Sequence, residues 1–113
     1  MTIQRLDERR MMMTTLTLVQ ERNETNADFS LRSFVGSMLD SEIQSLEDGL
    51  RRTQERIRDF ETQYDLATED FLARYHQNQI DETLETIEWV GESRMEQHLL
   101  KKLHNLRGIR VVD

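Results

Sequence analysis

The residues best suited to chemistry in this sequence are three histidines and 22 acidic residues, the types that bind metal ions. Metal-binding helical bundles carry a Glu-x-x-His pair, and many zinc peptidases carry His-Glu-x-x-His. Neither spacing occurs here, and His98 and His104 are six residues apart, so they face different directions on a helix. We therefore expect no metal site and no cofactor.

Two tyrosines, Tyr64 and Tyr75, are the remaining candidates for proton transfer. Both lie in segments of helical periodicity, where a tyrosine usually packs in the core. The sequence has no cysteine, so it has no thiol nucleophile, thiolate zinc site or disulfide. It also has no glycine-rich phosphate loop. We expect a protein that is not an enzyme.

The composition narrows the fold class. With 113 residues the chain suits one small domain or an elongated helical element. It contains no proline and only four glycines, which argues against a turn-rich β fold and predicts an all-α protein. The formal charge of −7 argues against broad binding to nucleic acid and suits a basic protein partner. No apolar run reaches the roughly 18 residues of a membrane span, and we expect a cytoplasmic location.

The elements that would position these residues are helices. Residues that are mostly large and apolar recur at alternating steps of four and three from Leu39 to Phe71. This is the a/d pattern of helices that pack along their length. We predict a long helix over 38–63 with Ser37 as N-cap. A short helix follows over 69–75, with Thr68 as its N-cap. The last helix runs from Asp81 or Thr83 to Leu106, and the tail 109–112 is extended or disordered.

The two long helices are predicted to form an antiparallel hairpin in which opposed residue numbers add to about 148. This register places Ile57 against Gly91, Phe60 against Glu88, Thr53 against Met95 and Leu50 against His98. The apolar seam of the last helix is then Ile80, Leu84, Ile87, Gly91, Met95, Leu99 and Leu106. Gly91 would allow the helices to approach closely.

Charged residues flank this seam. Arg51, Arg52 and Arg58 lie beside it on the first helix, with Arg56 nearby, and the last helix carries an acidic stripe, Asp81, Glu85, Glu88, Glu92 and Glu96. Two interpretations stay open. The stripe is a solvated face that pairs within the chain, or Glu85, Glu92 and Glu96 dock a basic partner.

A second apolar side of the last helix is left over by the hairpin. Trp89, Leu100 and Leu103 project away from Leu84 and Ile87 on a helical wheel, and a lone two-helix hairpin would leave Trp89 and Leu100 in water. They are predicted to anchor a twin chain in a dimeric bundle or a different partner, and the apolar cluster Phe29–Val35 is the remaining candidate to cover them.

The N-terminal residues 1–36 are predicted to form a flexible arm, separate from the helical hairpin domain 37–113. The arm carries one short strand over 14–20, where Leu16 and Leu18 face one way and could pair with the edge of a partner's sheet. Residues 1–12 before Met13 are a candidate upstream extension. A strand before two helices is the order of ribbon–helix–helix repressors, but the first helix is too long and no basic strand face exists.

A group of residues carries a resemblance to a known family: Tyr64 to Phe71, then Arg74-Tyr75, then an acidic loop leading to Ile87-Glu88-Trp89. This run resembles a family of small, mostly uncharacterised helical proteins of bacteria and archaea, in which a glycine usually follows the position of Tyr64, where this chain has Asp65. Many members are predicted to be encoded beside a small toxin-like protein. The resemblance implies an antitoxin or a similar small regulatory protein.

Together these observations predict a non-enzymatic protein-binding module that forms a homodimer and neutralises a basic partner. The alternative is a structural coiled coil that only associates with itself.

Overall fold

The computed structural model describes residues 2–5, 14–17 and 30–112, and its main elements are three helices. They are α1 (Leu31–Tyr64), α2 (Thr68–His76) and α3 (Leu84–Arg107). A small sheet in the order β1-β2-β3 is formed by the strands β1 (Thr2–Arg5), β2 (Thr14–Thr17) and β3 (Ile109–Val112). The all-α prediction is confirmed by the helices, and α1 packs on α3 as expected.

Helix α1 begins earlier than its periodicity predicts. The backbone N–H of Ser33 donates to Oγ of Ser30 at 3.0 Å, so Ser30 caps the helix and the prediction of Ser37 as N-cap is wrong. The segment from Leu31 to Gly36, assigned to the arm from sequence, is the first part of α1. With 34 residues the helix is ~50 Å long.

Helix α2 has nearly its predicted bounds but a different cap. Ala67 is the N-cap residue and Thr68 is the first helical residue, so the prediction of Thr68 as N-cap is wrong. The carboxylate of Glu61, on α1, accepts from the Thr68 backbone N–H at 2.9 Å and from its hydroxyl at 2.8 Å. A side chain from another helix therefore satisfies the first backbone N–H of α2.

Helix α3 begins with two threonines that cap each other. The N–H of Thr86 donates to Oγ1 of Thr83 at 3.2 Å, and the N–H of Thr83 donates to Oγ1 of Thr86 at 2.7 Å. This is the reciprocal geometry of a capping box, with threonine in place of the usual Glu or Gln. It confirms the predicted start of the helix near Thr83.

The sheet is formed by segments of the predicted arm and of the predicted tail. The backbone of β2 pairs antiparallel with β1 and parallel with β3, and Leu16 is the register partner of both Ile3 and Val111. The tail 109–112 is extended, one of its two predicted states. Residues 18–20 of the predicted strand, with Leu18, lie outside the described residues, as do most of residues 1–12.

The chain divides into two compact units. The helical unit, Glu47–Leu100, holds the second half of α1, all of α2 and most of α3. The other unit consists of the segments on either side and holds the sheet together with the remaining parts of α1 and α3. Leu46 and Leu103, which are both buried in the chain, belong to that second unit, and the aromatic core described below belongs to the helical unit.

Candidate binding surfaces of the helical unit

The contacts between α1 and α3 follow the predicted antiparallel register. Arg56 pairs with Glu92 and Gln63 with Glu85, and in both pairs the residue numbers add to 148. Gln54 donates to Glu96 at 3.2 Å, only slightly out of that register. The predicted pairing of the two helices along their length is therefore confirmed in the helical unit.

The side of α3 that faces α1 and α2 differs from the predicted seam. Phe60 stacks on Trp89, with ring centroids 5.6 Å apart, and does not oppose Glu88. Trp89 is 0% exposed, so the prediction that a lone hairpin leaves it in water is wrong. The physical reason is that α1 and α2 together supply an aromatic pocket, which buries the largest apolar side chain of the chain in preference to smaller ones.

Trp89 is the centre of that aromatic pocket. Its ring lies 3.9 Å from Phe71 with an interplanar angle of 2°, and Tyr64 makes a tilted contact at 5.5 Å. The Trp89 indole N–H donates to Oγ1 of Thr68 at 3.1 Å, and the Thr68 hydroxyl donates onward to Glu61. The polar atom of a buried tryptophan is thus satisfied without water, and three elements are joined at one point.

The other predicted anchors have different environments. Leu103 is only 1% exposed in the chain, so its side chain is not open to a partner, and its role as an anchor stays a prediction. Leu100 remains 41% exposed and keeps its place as a candidate contact. The strand β2 is the central strand of the sheet, so its backbone is already paired on both sides within the chain. A contact of Leu16 or Leu18 with a partner stays a prediction.

The predicted seam is only partly buried. Ile80 packs against the aromatic core, and Leu99 lies close to Gly49 of α1 as the register predicts, but the middle of the seam is on the exposed side of α3. Leu84 is 72% exposed, Ile87 49% and Met95 46%. Gly91 lies between them, and a Cβ built on it would meet no atom within 4 Å, so its predicted close approach to Ile57 is wrong. We call these four residues, Leu84, Ile87, Gly91 and Met95, the outer face of α3.

Most of the acidic stripe is engaged within the chain. Glu92 forms a two-point ion pair with Arg56, and Glu96 accepts from Gln54. Glu85 accepts from Gln63 at 3.0 Å and from the Tyr64 hydroxyl at 2.8 Å. These contacts favour the interpretation that the stripe holds α3 against α1, and Arg56, rather than Arg51 or Arg58, is the arginine that pairs with it. Arg51 pairs with Asp48 on its own helix.

The ionisable groups at this contact have shifted pKa values. Hydrogen bonds from Gln63 and Tyr64 to the Glu85 carboxylate lower its pKa, because they stabilise the charged form. The hydrogen bond that the Tyr64 hydroxyl donates to Glu85 raises the pKa of Tyr64, and the bond from Tyr75 to Glu82 raises the pKa of Tyr75. Both tyrosines therefore hold their protons more tightly than free tyrosine, which makes them poor proton donors near neutral pH.

A groove of about 450 Å³ opens between the three helices of this unit. Its apolar part is Ile57 from α1 and Leu72 from α2. Around them lie three carboxylates, one from each helix, and a single arginine: Glu61, Glu69, Glu96 and Arg58. The volume is in the range of small-ligand and side-chain pockets, and the lining favours a basic group with an apolar stem.

The sequence did not identify this groove as a site. Glu69 has the ordinary position of an acid in the first turn of a helix, and the position of Arg58 predicts a charge beside the seam. Only the packing of α2 against both long helices brings them together. The spacing of Glu61, Thr68 and Trp89 in the sequence carries no signal for their contact either.

Comparisons with known proteins identify no relative: no family model, no curated protein and no solved structure matches the chain. Within the described part of the chain, no set of three or more histidine or acidic side chains is placed to hold a metal ion. Among the same residues, no helix is both long and apolar enough to cross a membrane.

Proposed function

We propose that this chain is a non-enzymatic protein-binding module, in which the groove of the helical unit receives a basic side chain or segment of another protein. The single observation that carries the proposal is the lining of the groove, where carboxylates from three different helices surround an apolar floor. Opposite charge at a partly apolar surface increases the association rate and selects the partner.

Glu69 is the groove carboxylate best suited to a partner. Glu61 accepts two hydrogen bonds from Thr68, and Glu96 accepts one from Gln54, so both have structural roles. Glu69 lies in the first turn of α2 and is exposed. A basic group that enters the groove would meet Glu69 at the rim and Ile57 and Leu72 below.

The resemblance of residues 64–89 to antitoxin-like proteins gives this proposal a more specific form. The partner would then be a small basic toxin, which this chain neutralises by binding. The alternative function, a structural protein that only associates with itself, is favoured by the outer face of α3 and not by the groove.

Affinity capture from the native host tests the proposal with a matched pair of variants. Glu69→Lys reverses the charge at the groove, and Asp70→Lys reverses the next charge on the same turn of α2, outside the groove. We expect a basic protein to be captured by the wild type and by Asp70→Lys and to be lost with Glu69→Lys. Capture of nothing, or equal capture by both variants, would contradict the proposal.

Co-expression tests the antitoxin form separately. If the captured protein arrests growth when expressed alone, the wild type and Asp70→Lys should restore growth and Glu69→Lys should not. A captured partner without any effect on growth would reject the antitoxin role and leave the binding function intact.

A further inference from the structure

The outer face of α3 has Gly91 near its centre, with Ile87 four residues before it and Met95 four residues after it. Leu84 lies seven residues before Gly91, and the matching position after it is His98. Residues three, four and seven positions from Gly91 share its side of the helix. Three of them are large apolar side chains that the structure leaves 46–72% exposed.

Two charges of opposite sign beside this face lie at equal distances from Gly91. Glu88 lies three residues before Gly91 and Arg94 three residues after, and both are exposed. Being six residues apart, they do not face each other on their own helix. If a second α3 packs antiparallel with Gly91 at the symmetry axis, position i meets position 182 minus i, so each Glu88 meets the Arg94 of the other copy.

We propose that the outer face of α3 is a two-fold interface with a second copy of this chain, with Gly91 at the axis. Ile87 of each copy then packs on Met95 of the other, and two Glu88–Arg94 pairs close the flanks. The absence of a side chain at Gly91 lets the two helix backbones approach closely at the crossing point.

Charge complementarity selects a second copy over other occupants. A uniformly basic partner would be attracted by Glu88 but repelled by Arg94, and a uniformly acidic one the reverse, so neither gains a net advantage. A surface that carries both charges at equal distances from a central glycine complements itself when turned through 180°. The groove residues of α3 lie on the other side of the helix, so this interface is independent of the function proposed above.

The oligomeric state of the full chain is the first measurement. At roughly 100 µM, well above a micromolar dissociation constant, sedimentation should show a dimer for the wild type. Gly91→Arg should be monomeric, since it places bulk and two like charges at the axis. At a concentration low enough for the wild type to be monomeric as well, its thermal unfolding should occur at or above the wild-type temperature, because a side chain at Gly91 meets no atom within 4 Å. Glu55→Arg, on exposed surface of α1, is the control and should remain dimeric.

A charge swap tests the register. Glu88→Arg alone and Arg94→Glu alone should each weaken the dimer by about tenfold or more, because each creates like charges across the interface. The double variant should recover the wild-type affinity. A swap that fails to restore the dimer would overturn the proposed pairing.

Cysteine cross-linking tests the symmetry axis, since the chain contains no cysteine of its own. Gly91→Cys should form a disulfide with its twin under mild oxidation, because only the residue at the axis meets its own copy. Ile87→Cys alone should not, but it should cross-link when mixed with Met95→Cys. A wild type that remains monomeric, or Ile87→Cys that cross-links alone as readily as Gly91→Cys, would overturn the proposal.

Discussion

The indole N–H of Trp89 donates to the hydroxyl of Thr68 across 3.1 Å, and this bond joins α3 to the start of α2. The same hydroxyl donates to Glu61 of α1. One threonine thus links all three helices of the helical unit. It also explains why α3 turns its tryptophan inward, because the pocket offers both aromatic contacts and a hydrogen-bond acceptor.

Thr68→Val should destabilise the fold, because it keeps the side-chain shape but leaves the buried Trp89 N–H without an acceptor. We expect the free energy of unfolding to fall by about 1–3 kcal/mol, the cost of an unsatisfied buried donor. Urea unfolding followed by circular dichroism measures it. Thr68→Ser retains the hydroxyl and should lose less; equal losses for the two variants would show that the hydrogen bond contributes nothing.

The orientation of α3 predicts unequal costs for two nearby apolar residues. Val90 is 6% exposed and belongs to the aromatic cluster, whereas Ile87 is 49% exposed. In the monomeric Gly91→Arg background, Val90→Ala should cost roughly 1–3 kcal/mol and Ile87→Ala less than about 0.5 kcal/mol. A larger cost for Ile87→Ala would instead support the seam predicted from the sequence.

The low pKa of Glu85 makes a small part of the stability dependent on pH. A carboxyl whose pKa is lower in the folded than in the unfolded chain stabilises fully above its ordinary value of 4.5, and this stabilisation is lost as the pH falls through the lowered value. Below pH 4.5 the unfolding free energy of the wild type should therefore fall more steeply than that of Tyr64→Phe, which removes one of the two donors.

Carboxyl NMR titration checks the cause of this pH dependence. Tyr64→Phe should raise the pKa of Glu85 towards its ordinary value. Tyr75→Phe, which removes a bond to Glu82 instead, is the control and should leave the Glu85 titration unchanged. A Glu85 pKa that is the same in all three proteins would contradict the assigned contact.

The ion pair of Arg56 with Glu92 should be measurable but weak. The Arg56 side chain is 52% exposed and that of Glu92 20%, so a double-mutant cycle should give a coupling of about 0.2–1 kcal/mol, smaller in high salt. The matched cycle of Arg52 with Glu92 should give none. Coupling in the second cycle and not in the first would show that the helices pair in another register.

Much of the helical architecture follows from local signals in the sequence. The heptad pattern of α1 and the closure of the chain near Tyr64 set the register of the hairpin, and the paired threonines at 83 and 86 set the start of α3. These signals are reliable because they depend on spacing within one helix or on a short connection. The predicted start of α1 at Ser37 is wrong, because Ser30 and Ser37 are both acceptable N-cap residues and only the structure distinguishes them.

The buried side of α3 could not be predicted in the same way. The helix is apolar on two sides, and a hydropathy pattern counts Leu84, Ile87 and Met95 as core while counting the buried Thr86 and Ser93 as surface. The choice between the two sides was decided by Phe71 and Thr68, which α2 places beside Trp89. This choice depends on packing between helices that are distant in sequence. The groove and the outer face of α3 depend on the same packing, so the sequence does not predict them either.

Fluorescence of Trp89, the only tryptophan of the chain, tests most directly whether the Trp89 side of α3 is buried within its own chain while the outer face is exposed. The measurement is acrylamide quenching of the Gly91→Arg variant at low concentration, where no second copy covers the helix. We expect blue-shifted emission and quenching far weaker than that of a free indole, equal to that of the wild type. Red-shifted emission with strong quenching would show that Trp89 needs a partner to be buried, which contradicts the account.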